Sequence, residues 1–259
     1  MGKRIVITGR GGTGKSTFAA LSAALLPGSK LLVDADPDES LAAMLGIDLQ
    51  KSGVHTISEV LYNLQNSKGQ KDLQSMPLAE KVEYLLQLSC VYESPQFDLI
   101  SLGTKWTRGC YCAPNDVLRA LIPSIADSYE FTLVDSPAGL EHLNRRVLTR
   151  VDDVFALLDR SSKSLRNTRA VRQLSDSIGI EFENLYLVAN HRFPAEDVLR
   201  LAEVDGATCL GKVERDPTVE QYDWEGRSLL ELPADSPARA SVQAILEKAG
   251  YLPPSQTPR

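Results

Sequence analysis

The chain has 259 residues, 43% hydrophobic and 24% charged, with a formal net charge of −6. That balance suits one large α/β domain whose core needs neither disulfide nor metal to fold. It argues against a general nucleic-acid binder, and no apolar run reaches the roughly 20 residues of a membrane helix. The four cysteines follow no export signal, so they read as reduced thiols of a cytoplasmic protein.

Strand-like runs recur in chain order at Arg4–Thr8, Lys30–Asp34, Phe97–Leu102, Phe131–Asp135, Val154–Asp159, Leu185–Asn190 and Ala207–Val213. Most are continuously apolar, the pattern of strands covered on both faces in a mostly parallel sheet. Helical spacing appears over Ser16–Leu26, Asn115–Ala126, Leu140–Arg150, Ser164–Ile178, Ala195–Val204 and Ser236–Ala249. Alternating strands and helices predict a doubly wound α/β sheet flanked by helices. About 60 residues separate Asp34 from Phe97, read as an elaborated crossover with helices over 55–66 and 77–89 around a polar loop. The expectation is a single domain over residues 1–252 and a frayed, proline-rich tail over 253–259.

Gly9-Arg10-Gly11-Gly12-Thr13-Gly14-Lys15-Ser16 fits G-x-x-x-x-G-K-[ST] between the first strand and the first helix. Glycines let backbone N–H groups curl around phosphates, and the helix N-terminus adds partial positive charge. Lys15 is expected at the β- and γ-phosphates of ATP, and the Ser16 hydroxyl at magnesium. Thr13 and Thr17 belong to the same expected nucleotide site. Asp34 and Asp36 end the second strand and Asp135 ends the fourth, where ligands of open α/β sheets sit. Carboxylates there can hold magnesium through water or orient an attacking water; a solvated loop or helix cap is the alternative, and Asp38 reads as only that.

Trp106–Asn115 (WTRGCYCAPN) places Cys110 and Cys112 between a strand and a helix beginning near Pro114 or Asn115. A helix N-terminus, with Lys105 and Arg108 nearby, lowers a thiol pKa and favours the metal-binding thiolate. In extended chain the two sulfurs point to one side, and two do not close a tetrahedral site. A two-fold homodimer would bring four together. Buried thiols or an exposed redox pair are the alternatives. The buried reading suits Cys90, in an apolar helical stretch, and Cys209, inside a strand. Nothing places His55 or His191 near the pair, and His142 is not read as a ligand.

GRGGTGKST, VDADPD and LVDSPAG together resemble the deviant Walker A ATPases, which include MinD, ParA and the nitrogenase iron protein. The resemblance implies a homodimer sandwiching two ATP molecules. It makes Asp36 the residue that positions water, with Asp34 assisting and Asp135 holding the magnesium shell. The family's first loop lysine, which reaches into the partner's site, is replaced by Arg10; charge is kept and geometry is not. Asn190, ending VAN, is similar to the family's adenine-reading asparagine; a strand-end turn residue is the equal alternative.

Cys-Tyr-Cys, GLEHLNR and GKVERDPTVEQYDWEGRSLLEL narrow the resemblance to the CooC-type nickel-insertion ATPases. That likeness implies one metal ion, nickel or zinc, held by the Cys110–Cys112 pairs of two subunits. The ion would be delivered to a client such as carbon monoxide dehydrogenase or acetyl-CoA synthase. A MinD- or ParA-like spatial switch and an iron–sulfur carrier or reductase are the competing expectations. Residues 241–259 lack the basic amphipathic helix of a membrane-binding switch, and the net charge lacks a DNA-binding surface.

Overall fold

The computed structural model describes residues 2–66, 84–85, 88–104, 112–137, 150–164, 166, 181–198, 200–201, 204 and 206–255. The strands are β1 Lys3–Gly9, β2 Lys30–Asp34, β3 Val91–Glu93, β4 Asp98–Ser101, β5 Phe131–Asp135, β6 Asp153–Leu158, β7 Asn184–Ala189 and β8 Thr208–Lys212. They form one sheet in the order β3-β4-β2-β5-β1-β6-β7-β8. Every pair is parallel except the antiparallel edge pair β3 and β4. The seven strands read from the sequence are all present, and the mostly parallel architecture stands as expected.

The helices are α1 Lys15–Leu25, α2 Ser40–Met44, α3 Ile57–Asn66, α4 Cys112–Ala126, α5 Ala195–Val198, α6 Pro217–Glu225 and α7 Pro237–Lys248, with a 3-10 turn at Leu229–Glu231. Alternate strand residues enter two separate cores. Val6, Leu31, Val33, Ile100 and Val134 pack against Ile57 and Val60 of α3 and Leu118 and Ile122 of α4. Ile5, Ile7, Leu32, Leu133 and Phe155 pack against Phe18 and Leu21 of α1 and Val242 and Ile245 of α7. The two-residue side-chain period sends neighbours to opposite faces, so an uninterrupted apolar run is what a doubly covered strand requires. Each such fully buried side chain contributes roughly 1.5–3 kcal/mol.

Several expectations need correction. Among the described residues of Ala195–Val204 the α form covers Ala195–Val198, and residues 200–201 are 3-10. Cys90 does not sit in a helix: it is buried in the bend just before β3. Cys209 does lie in a strand, β8, but is only half-buried. Of the expected helix Leu140–Arg150, residues 140–149 fall outside the described residues and Arg150 forms an isolated parallel bridge with Glu181; much of Ser164–Ile178 and most of 77–89 also fall outside them. α2, α6 and β3 were not anticipated. Among the described residues no helix is long and apolar enough to cross a membrane.

Candidate functional site

β1 lies between β5 and β6, and its chain leaves the sheet at Gly9 to form the loop ahead of α1. A Cβ on Gly9 would stand 2.5 Å from the Leu157 carbonyl oxygen of β6, so only glycine lets the loop turn this close to the sheet. Gly14 has φ 92° and caps α1 without a side-chain hydrogen bond. Helix start geometry leaves first-turn N–H groups without intrahelical acceptors, and here no side chain of the capping residue covers them. The loop is braced from within: Thr13 donates its backbone N–H (3.3 Å) and its hydroxyl (2.8 Å) to the Arg10 carbonyl. The Lys15 ammonium lies 3.5 Å from the same oxygen, on a side chain that is almost wholly buried.

Arg10 is turned toward its own subunit. Its guanidinium donates to the Asp159 carboxylate at 3.1 Å and to the Ser161 hydroxyl at 2.9 Å. Burial pulls the Asp159 pKa upward, but hydrogen bonds from Ser161 and Ser164, aided by the Arg10 charge, leave it below the ordinary value.

Parallel register sets Asp34 beside Asp135 at the carboxyl ends of β2 and β5. Both are fully buried. Asp34 accepts from the Leu41 N–H at 2.9 Å, the Ala42 N–H at 3.3 Å and the Asp36 N–H at 3.2 Å. Burial and the Asp135 charge still raise its carboxyl well above the usual range. Asp135 differs: neither of its oxygens completes a hydrogen bond of ordinary length. Burial pushes its pKa up to about 7, against the pull of the nearby Ser16 hydroxyl and Lys15 charge and with a further push from Asp36. Buried polar atoms are seldom left without partners. Two orphaned carboxylate oxygens beside Ser16 and Lys15 fit the hydrated magnesium of a nucleotide complex, whose water ligands would satisfy them. Asp36 is half-exposed at the start of the loop ahead of α2, and its carboxylate accepts from the Asp38 N–H at 3.2 Å.

A cleft of about 200 Å³ opens beside the loop, lined by Gly12, Thr13, Gly14, Thr17, Met44 and Asn190 on one side. Val213, Glu214, Arg215, Asp216 and Val219 form the other wall. Asn190 is buried; its carbonyl oxygen accepts from the Arg192 N–H at 3.0 Å and its amide nitrogen has no partner. The second wall was missed as a site from sequence alone. Its signal was there: Asp216 caps α6 by accepting the Thr218 N–H at 2.9 Å, Pro217 follows at the first helical position, and Gly226 ends the helix.

Cys110 and the side chain of Cys112 lie outside the described residues; α4 starts at Cys112. Among the described residues no three His, Cys, Asp or Glu side chains converge on a metal position. Cys90, which is buried, and Cys209 are free thiols, and burial pushes Cys90 up to about 12.

A glycine loop between a central parallel strand and a helix, a buried lysine at its end and two buried aspartates on the adjoining strands define a P-loop ATPase. Residues 2–181 match a family described as an AAA domain. The chain belongs to that family, P-loop ATPases of the MinD/ParA type. It is 31% identical over 251 residues to an uncharacterized ATP-binding protein of Methanocaldococcus jannaschii, covering 94% of this chain and 97% of that one. It is 28% identical over 259 residues to the carbon monoxide dehydrogenase accessory protein CooC of Rhodospirillum rubrum, covering 95% and 97%. The fold is similar to the septum site-determining protein MinD of Pyrococcus horikoshii complexed with Mg-ADP, with TM-score 0.67, 22% identity and 96% of both chains covered.

Proposed function

We propose that the protein is an ATP-driven metallochaperone. As a homodimer it would hold a divalent ion, nickel or zinc, between its Cys110–Cys112 pairs and pass it to a nickel enzyme such as carbon monoxide dehydrogenase or acetyl-CoA synthase. The observation that carries this reading is the end-to-end similarity to a carbon monoxide dehydrogenase accessory protein. The Cys-Tyr-Cys triplet supports it, because two such pairs supply the four thiolates of a closed site.

In the nucleotide site, the backbone N–H groups of Gly11, Gly12, Thr13 and Gly14 cradle phosphate and Lys15 neutralises its charge. Ser16 and Asp135 hold magnesium, which when bound offsets negative charge on the phosphates. Asp36 orients the attacking water, and Asp34 assists by fixing the turn that carries Asp36. Thr17 lines the cleft floor, and the unpartnered amide of Asn190 reads adenine. Arg10 acts across the dimer interface; to do so it leaves Asp159 and Ser161.

Equilibrium dialysis with nickel and with zinc, alongside light scattering, tests the metal site. The expected result is one ion per two chains with metal-driven dimerisation, both lost in Cys112→Ser and both kept in Cys90→Ser and Cys209→Ser. One ion per chain, unaffected by Cys112→Ser, contradicts the interfacial site. A MinD- or ParA-like switch is the second reading, favoured by the shared fold. Its mark would be ATP-dependent binding to anionic vesicles or to DNA by protein that takes up no metal.

A further inference from the structure

The turn that carries Asp36 is held in an uncommon shape. The Glu39 N–H donates to the Asp36 carbonyl at 3.2 Å, closing a tight turn from Asp36 to Glu39. Glu39 adopts φ 54° and ψ 35°, the left-handed region, and is the only non-glycine residue with positive φ among the described residues. A glutamate there costs on the order of 1 kcal/mol or more, so the conformation persists only where its surroundings impose it.

Those surroundings come from the end of β4. The Thr104 hydroxyl donates to the Pro37 carbonyl at 2.9 Å. The Thr104 backbone N–H also favours the charged Glu39 carboxylate, although burial and the Glu59 charge still leave its pKa raised. Thr104 is itself firmly mounted. The Leu102 N–H donates to the Asp34 carbonyl at 2.8 Å, and the Ser58 hydroxyl donates to the Gly103 carbonyl at 3.0 Å. Gly103 turns there with φ 71°, and a Cβ on it would stand 2.3 Å from the Thr56 side chain. One residue thus grips the Asp36 turn at two points, from a strand end anchored to the sheet.

We infer that Thr104 is a positioning residue for ATP hydrolysis: through Pro37 and Glu39 it fixes the turn from which Asp36 orients water. The inference rests on the reading of Asp36 as the water-orienting carboxylate. It requires no contact between Thr104 and the nucleotide. A side chain that acts through Asp36 affects the chemical step and not the phosphate cradle, so its loss lowers kcat and spares KM for ATP.

Steady-state magnesium-dependent ATP hydrolysis by Thr104→Val, Thr104→Ser and Asp36→Asn provides the test. Thr104→Val loses one hydrogen bond and keeps the side-chain volume, so kcat is expected to fall about fivefold with KM unchanged. Thr104→Ser keeps the hydroxyl and is expected to restore kcat to within about twofold of the wild type. Thr104 is exposed, and thermal melting should show both variants folded as the wild type is. If Asp36→Asn lowers kcat while Thr104→Val matches the wild type, the positioning role is wrong and the Asp36 reading stands. If Asp36→Asn itself keeps full kcat, the Asp36 reading falls, and Thr104 with it. A rise in KM for Thr104→Val, with kcat unchanged, would also overturn the inference.

Discussion

Asp135 carries two carboxylate oxygens without hydrogen-bond partners in a fully buried position, and burial raises its pKa. Its pKa lies near 3.8 in the unfolded chain and about 7 in the fold. Between those values the folded state holds a proton that the unfolded state has lost, so stability falls as pH rises through this window. Asp135→Asn removes the charge and keeps the shape. The nucleotide-free variant should therefore melt several degrees higher than the wild type at pH 8, with a shallower loss of stability from pH 5 to pH 8. Thermal unfolding across that range checks it; an unchanged slope would show that Asp135 is not the titrating group. Much of the site was legible at this scale. That Lys15, Ser16, Asp34, Asp36 and Asp135 gather near one loop was legible from motif and strand-end position; their roles are the proposal above. What Asp34 binds was not legible, because its partners Leu41 and Ala42 belong to a helix of five residues that leaves no periodic trace.

At the scale of elements, the central strands were readable because burial on both faces demands unbroken apolar runs. β3 was not, because it is a three-residue antiparallel edge. α6 escaped for a different reason: its only buried residue is Tyr222, so it lacks an apolar stripe, although its caps were written in the sequence. Val219, Glu220 and Asp223 of that short helix still line the cleft beside the glycine loop. Asp216 starts it by accepting the Thr218 N–H, and it also accepts from the Ser236 hydroxyl that caps α7. Asp216→Ala is expected to cost about 1 kcal/mol, in the range of a lost N-cap. It should also weaken ATP binding, because the cleft wall loses its anchor. Denaturant unfolding and ATP titration together test this. Full stability in the variant would mean the cap is idle.

Across the whole molecule, the P-loop, the two strand-end aspartates and the cleft all stand at the carboxyl edge of one sheet, while the cysteine pair follows β4 in the chain. Topology explains that arrangement: β1, β2 and β5 are neighbours, so the loops that leave them converge. Cys110 precedes α4 and Cys112 opens it, so one chain offers one such pair, and the proposed closed site of four thiolates needs two chains. We propose that ATP turnover by a dimer drives delivery of a metal ion. The most direct measurement mixes nickel-loaded protein with nickel-free carbon monoxide dehydrogenase and follows enzyme activity with and without Mg-ATP. Activation should require ATP and be lost in both Lys15→Ala and Cys112→Ser, one disabling hydrolysis and the other the metal site. Equal activation by wild type and both variants, or by free nickel at the same concentration, would contradict the account.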